Sequence, residues 1–316
     1  MDFVLNKLLS IVIPSFNEEG NIENTAKVVL GIMDREQINC ELLFVSDGSK
    51  DQTFAAIKKA AKADSRIKGV EFSRNFGKEA AILAGLSNGK GDCFVVMDCD
   101  LQHPPETIVE MYRLWEQGYE IVEGIKKSRG DESWLHKKFA NFFYGILSSL
   151  TGFDMGNTSD FKLVDKHVAE ILTKMPERKT FFRALTFWVG FKSCSVYYNV
   201  AERAIGETKW SVMGLIKYAI SNIISFSSLP LNIVTYLGGI AIFGGLILAI
   251  HTLWRWATGT AMEGFTTVIL LLLLLGGAIL LGLGLIGQYI AAIYEETKQR
   301  PRYIIGKSCN MDDVKE

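Results

Sequence analysis

The sequence carries no charge excess of either sign: 34 lysines and arginines face 35 aspartates and glutamates, leaving −1 at neutral pH. A nucleic-acid partner needs a basic surplus to meet its phosphates, so none is expected. Cysteine is sparse. Cys40, Cys93, Cys99, Cys194 and Cys309 are odd in number and scattered, with no CxxC. That argues against a disulfide framework and a zinc site, and suits a reducing compartment. GxxxxGK[ST] is missing and no GxGxxG follows a strand-like run, which excludes the usual P-loop and dinucleotide phosphate cradles. The opening MDFVLNKLLSIVIPSF lacks a small-residue cleavage site and reads as a first strand, not a signal peptide.

Charge is also missing locally. Neither Tyr218–Trp254 nor Gly264–Tyr294 contains Asp, Glu, Lys or Arg. Each tract exceeds the roughly 20 residues a bilayer crossing needs. Two spans are expected, at about 232–253 and 267–290, forming a hairpin across Arg255–Phe265. Lys298, Arg300, Arg302 and Lys307 follow the second span, against Arg255 alone in the connection. The positive-inside rule then puts the tail in the cytosol with the large domain, so a two-span protein with both termini on that side is expected. Trp254, Trp256, Tyr289 and Tyr294 suit interfacial anchors. Glycines at 238, 239, 244, 245, 276, 277, 282, 284 and 287 allow close helix approach, within the hairpin or between subunits of a homo-oligomer. Ser211–Ser225 is amphipathic and is expected to lie along the membrane surface. The expected divisions are a cytoplasmic domain over 1–210, a juxtamembrane segment over 211–230, the spans over 231–294 and a basic tail over 295–316.

What the first part does have is alternation. LLSIVIP, ELLFVS, KGVEFS, DCFVVMD and YEIVEGI read as strands, and helical spacing over Ile22–Met33, Thr53–Ala63, Glu79–Leu86 and Pro105–Trp115 falls between them. This predicts an α/β domain with a parallel sheet covered on both faces. Ligands in such sheets sit outside the carboxyl ends of the strands. The polar clusters lie at those ends: Ser15–Glu18, Ser46–Ser49, Ser73–Lys78 and Asp98–Asp100. Four of them on one rim suit a nucleotide site. Lys126–Asp131 is a candidate lid. Trp134–Leu150 reads as an aromatic-rich helix against the sheet or the membrane surface.

The stretch VVMDCDLQHPP supplies the chemistry. Asp98 and Asp100 project to one side of an extended segment and offer hard oxygens to Mg²⁺ or Mn²⁺. The plain alternative is an Asx turn before Pro104-Pro105. His103 is near enough to touch the metal or a diphosphate. Asp47 in VSDGS suits a base or ribose contact, or merely a turn. Glu18 in PSFNEEG either binds the base or sits at a helix start. Asp160 lies in a polar loop ahead of a helix. Arg203 and Lys209 in AERAIGETKW suit a phosphate, or form an ordinary charged loop.

PSFNEEGNI, VSDGSKDQT, FSRNFGKEAAILAGL, MDCDLQHPPE, SDFKLVD, RAIGETKW and the two apolar tracts ending in EETKQRPRYI together resemble the polyprenyl-phosphate glycosyltransferases of glycosyltransferase family 2, in order and over nearly the whole chain. The bactoprenol glucosyltransferase branch is the most similar, with dolichyl-phosphate mannose synthases as relatives. The resemblance implies a GT-A (Rossmann-like) domain, followed by amphipathic interfacial helices and a two-helix transmembrane hairpin. It implies a divalent metal at Asp98 and Asp100 and nucleotide-sugar contacts from Pro14, Glu18, Asp47, Lys78 and Asp98. It also implies a catalytic carboxylate at Asp160 and acceptor-phosphate contacts from Arg203 and Lys209. The implied reaction is inverting transfer of a hexose from a UDP-sugar to polyprenyl phosphate, serving a cell-surface polysaccharide such as O-antigen. Glucose is the expected sugar. Mannose, galactose, an N-acetylhexosamine and aminoarabinose remain open, as does a non-catalytic partner in lipid-carrier translocation. The family often has two acids before Gly-Ser, where this chain has Ser46-Asp47, and often a Gly where Ser159 stands.

Overall fold

The computed structural model describes residues 7–127, 159–177, 181–199, 229–259 and 264–311. The alternation expected from sequence is present. β1 (Leu9–Ser15), α1 (Ile22–Arg35), β2 (Cys40–Ser46), α2 (Thr53–Ala63), β3 (Ile67–Phe72), α3 (Lys78–Asn88), β4 (Cys93–Val96), α4 (Pro105–Glu116) and β5 (Ile121–Lys126) follow one another. After the undescribed segment come β6 (Lys162–Asp165), α5 (Lys166–Lys174), α6 (Phe182–Trp188) and β7 (Ser193–Tyr198). The chain continues as α7 (Leu229–Ala257), α8 (Phe265–Thr297) and β8 (Ile305–Cys309).

Among the described residues the strands form one sheet in the order β7-β5-β6-β4-β1-β2-β3-β8. β4, β1, β2 and β3 are parallel, as expected. The rest differs from an all-parallel sheet. β6 lies antiparallel between β4 and β5, and β8 adds antiparallel to β3. Local periodicity cannot reveal such pairings, because they join segments far apart in sequence. The consequence for the site is direct. Antiparallel register pairs Val96, the last residue of β4, with Lys162, the first of β6. The residues just before β6 therefore arrive beside the carboxyl end of β4.

Side-chain alternation builds a core on each face of the sheet. Ile11 and Ile13 of β1, with Leu42 and Phe44 of β2, pack under α1, α2 and α4. Val12 and Val96 pack with Ile82 and Leu86 of α3 and with Val168 and Leu172 of α5. Leu43 and Val45 pack with Ala81 and Ala84 of α3. Gly85 lets α3 come down onto β1, since a side chain there would run into Val12. All five cysteines are free, and Cys40, Cys93 and Cys99 are buried.

α7 and α8 are each long and apolar enough to cross a membrane, over Val234–Arg255 and Leu274–Thr297. Their apolar side chains are largely exposed, including Ile240, Phe243, Leu253, Leu280, Leu281 and Ile290. Uncovered apolar surface of that extent calls for a non-aqueous neighbour. The segment set apart in sequence as a basic tail differs from expectation: Ile305–Cys309 is a strand of the sheet. The expected lid beyond Lys127, the helices over 134–150 and 211–225, and Arg203 and Lys209 lie outside the described residues.

Candidate active site

The loops at the carboxyl ends of β1 to β4 hold one another in series. β1 and β2 end in register, Ser15 beside Ser46. Beyond them Asn17 N–H donates to Ser49 Oγ at 3.1 Å, and Lys50 N–H donates to Asn17 Oδ1 at 2.9 Å. Glu18 N–H donates to Thr53 Oγ1 at 2.8 Å, tying the start of α1 to the start of α2. Its carboxylate accepts from Asn21. Pro14 is half-buried between Ile13 and Ser15. Asp47 turns inward. It is 3% exposed, and its two oxygens accept Phe76 N–H at 2.6 Å and Gly77 N–H at 2.9 Å. Gly48 sits at φ +62°, where a side chain would strike the backbone of Arg74 and Asn75. The β2 and β3 loops are thus in backbone contact, and only glycine permits it there.

β4 leads into the aspartate pair. Asp98 N–H donates to His103 Nδ1 at 3.2 Å. His103 is buried and stacks on Phe161, with centroids 4.6 Å apart and planes 4° from parallel. Burial pushes its pKa down, consistent with a neutral ring whose Nδ1 accepts. His103 therefore shapes the turn from beneath. Asp100 Oδ1 accepts Gln102 N–H at 3.1 Å, so the Asx turn weighed in the sequence is present. Leu101 holds φ +58°, a left-handed value that costs a bulky residue energy. An Asx turn does not by itself preclude a ligand role, because a carboxylate has about four lone-pair sites.

Asp160 completes the cluster. It is 5% exposed, two residues before β6. Lys78, the first residue of α3, bridges the two loops: Nζ lies 2.6 Å from Asp98 Oδ1 and 2.9 Å from Asp160 Oδ2. Arg183, in the first turn of α6, forks onto Asp160, Nε to Oδ1 at 2.7 Å and Nη2 to Oδ2 at 3.0 Å. Burial alone would raise the Asp160 pKa. Lys78 and Arg183 outweigh it and hold the carboxyl far below the usual range. Glu79 shows the opposite balance. Burial, then the Asp160 charge, push it up to about 7, with Phe182 N–H donating to it at 2.8 Å. Tyr198 sets its ring edge-on to both His103 and Phe161.

The structure thus brings Asp98, Lys78 and Asp160 into contact, with Asp100 on the same turn and Asp47 supporting the Lys78 loop. Pro14 and Glu18 stand on the adjoining β1 end. Arg183 was missed in the sequence. A single Arg in the apolar run FFRALTFW was its only signal, and nothing local linked it to Asp160. No group of three or more His, Cys, Asp or Glu forms a ready metal cage among the described residues. The donor set still fits a hard divalent ion. Mg²⁺ is typically held by one or two carboxylates, with substrate phosphates and water completing the shell.

Comparisons with known proteins give the family and the fold. Residues 10–174 match the family model described as glycosyl transferase family 2. The chain is 39% identical over 306 residues to the uncharacterized glycosyltransferase YkcC of Bacillus subtilis, covering 96% of this chain and 95% of the relative. It is 36% identical over 305 residues to the bactoprenol glucosyl transferase of Shigella phage SfII, covering 95% and 98%. Among solved structures, glucosyl-3-phosphoglycerate synthase of Mycobacterium tuberculosis with Mg²⁺ and uridine diphosphate superposes with a TM-score of 0.53 at 19% identity, covering 70% of this chain and 80% of that one. The same enzyme with Mn²⁺, UDP-glucose and phosphoglyceric acid gives 0.51 at 18%, covering 69% and 78%. Both support the GT-A sheet and its helices.

Proposed function

The chain belongs to glycosyltransferase family 2, and from that premise we propose that it transfers glucose, with inversion, from UDP-glucose to a polyprenyl phosphate at the cytoplasmic face of a bacterial membrane. The observation that carries this reading is the contact of Asp98 and Asp160 through Lys78 at the carboxyl rim of the sheet. The names of its relatives support the choice of glucose and of a bactoprenol acceptor.

The acceptor is a phosphate monoester with a second pKa near 6, so it is mostly dianionic at neutral pH. Its oxygen can attack the anomeric carbon without first losing a proton to the enzyme. Asp160 suits an orienting role better than a basic one. Arg183 and Lys78 already occupy its oxygens, and a carboxylate held so far below its usual pKa is a poor proton acceptor. Asp98 and Asp100 are the residues that would hold Mg²⁺ or Mn²⁺. Such an ion, when bound, would offset the charge developing on the leaving diphosphate. Lys78 adds a positive charge on the same side. Pro14, Glu18 and Asp47 belong to the nucleotide side of the rim, with Asp47 acting through the loop it braces. Arg203 and Lys209 are assigned to the acceptor phosphate.

α7 and α8 act as a membrane hairpin in this reading. The chain leaves the sheet before α7 and returns to it as β8 after α8, as two crossings require. Anchoring holds the site where the lipid phosphate lies and raises its effective concentration. The product would serve a cell-surface glycan, and the hairpin glycines suit contact within or between subunits. Calorimetry tests the donor side: UDP should bind in the presence of Mg²⁺, bind far more weakly with chelator, and lose the metal dependence in Asp98→Ala. A protein that ignores UDP with and without metal would overturn the proposal.

A further inference from the structure

The residues after α8 form more than an exit from the membrane segment. β8 pairs with β3 from Gly69–Cys309 to Phe72–Ile305, with a register shift between Glu71 and Phe72. Beyond the shift, Ser73 N–H donates to Ile304 O at 3.0 Å. Tyr303, 6% exposed, lies flat on Phe72 with centroids 5.1 Å apart and planes 11° from parallel. Phe72 in turn meets Phe76 edge-on at 5.7 Å, and the Arg74 guanidinium covers the Phe76 ring at 4.0 Å. The far end of the strand is fastened separately. Asn310 Nδ2 donates to Ala61 O at 2.7 Å and Ile67 O at 2.9 Å, and Lys307 pairs with Glu71 at 2.6 Å.

A strand that only covered the β3 edge would need the ladder and nothing more. Here the contacts continue past the ladder into the loop that ends at Lys78. That loop is held from two sides. Asp47 takes the N–H groups of Phe76 and Gly77, while the tail takes Ser73 N–H and packs Tyr303 under Phe72. We propose that β8 and Tyr303 position the Ser73–Gly77 loop, and through it Lys78, so that the segment following the second long apolar helix sets the shape of the donor side of the site. Tyr303 is then a positioning residue acting through Phe72 and Phe76. The kinetic part of this inference rests on the proposed donor site; the structural part does not.

The test uses the full-length protein in detergent. Hydrogen exchange is followed over residues 73–80 in the parent, Tyr303→Ala and Tyr303→Phe. Loss of the stacked ring should speed exchange of the Phe76 and Gly77 amides by about tenfold, while Tyr303→Phe, which keeps the stack, should exchange clearly more slowly than Tyr303→Ala. In steady-state kinetics Tyr303→Ala should raise the KM for the nucleotide sugar by roughly five- to tenfold and leave the KM for the lipid acceptor unchanged. Should Tyr303→Ala fail to fold, Tyr303→Leu fills the volume without the stack and is expected to behave likewise. Faster exchange in β8 with Phe76 and Gly77 at the parent rate would overturn the proposal. Faster loop exchange without a donor KM change would uphold the positioning and count instead against the donor assignment.

Discussion

Replacing Arg183 by Gln removes the fork that holds both oxygens of Asp160, and its cost can be worked from the geometry. Two charge-assisted hydrogen bonds are lost, at 2.7 and 3.0 Å, onto a carboxylate that is 5% exposed. Hydrogen bonds to charged groups contribute about 1.5–3 kcal/mol each. Arg183 keeps 31% of its side chain open to solvent, and Lys78 still meets Oδ2. Water and Lys78 therefore recover part of the loss, and about 2–3 kcal/mol of destabilisation is expected. For a domain of this size each kcal/mol moves the midpoint by about 2–4 °C, so the unfolding temperature should fall by roughly 4–12 °C. The double variant Arg183→Gln, Asp160→Asn should melt higher than Arg183→Gln alone, because the buried carboxylate left with only one of its two cationic partners is gone. The pH dependence has a fixed sign. Asp160 has a folded pKa below its unfolded value of about 3.9, so the pair stabilises above that pH and stops doing so as pH falls. The parent-to-variant gap should be full at pH 7 and narrow below about pH 4. Intrinsic-fluorescence melting of the parent, Arg183→Gln, Asp160→Asn and the double variant across pH supplies the assay. An unchanged midpoint for Arg183→Gln, or strict additivity in the double variant, would refute the reasoning.

Three further outcomes follow from the same cluster. Glu79 has a pKa raised to about 7 by burial and by Asp160, so folding keeps a proton that the unfolded chain gives up, and stability declines as pH rises from about 4.5 to 7. Glu79→Gln should match the parent near pH 4.5 and melt above it at pH 8; a constant difference across pH would contradict this. The parent transfer rate should be flat above about pH 7, and Asp160→Asn should lower kcat while keeping that shape; a parent rate that keeps climbing to pH 9 would make Asp160 a true base. Arg203→Gln and Lys209→Gln should each raise the KM for the lipid acceptor much more than the KM for the nucleotide sugar, and equal effects on both would remove their assignment.

Much of this fold was legible because it is written locally. Helix α2 begins and ends where its spacing predicts, and strands β1 to β4 end at the polar clusters that mark the rim. The aspartate pair was legible for the same reason, as two carboxylates at the end of an apolar run. What stayed hidden depends on long-range pairing. Asp160 reaches Asp98 only because β6 enters antiparallel beside β4, and Arg183 reaches Asp160 only because α6 returns to that edge. Ile305–Cys309 is IGKSC, a short run with Lys307 and Ser308 inside it and basic neighbours before it, which reads as a charged tail. Its partner β3 lies more than two hundred residues earlier, as the 236-residue separation of Lys307 and Glu71 records. Asp47 was visible as a rim acid, but its inward turn onto Phe76 and Gly77 required the positive φ of Gly48 to be seen in place.

The central claim is sugar transfer to a polyprenyl phosphate by the rim cluster. Its most direct test incubates the full-length protein in detergent with undecaprenyl phosphate, Mg²⁺ and radiolabelled UDP-glucose, and counts label in the organic-extractable lipid. Labelled lipid that disappears in Asp98→Ala, Asp100→Ala is the predicted result. Lipid labelled only from UDP-galactose, UDP-N-acetylglucosamine or GDP-mannose would contradict the donor, and no labelled lipid from any of them would contradict the transfer itself.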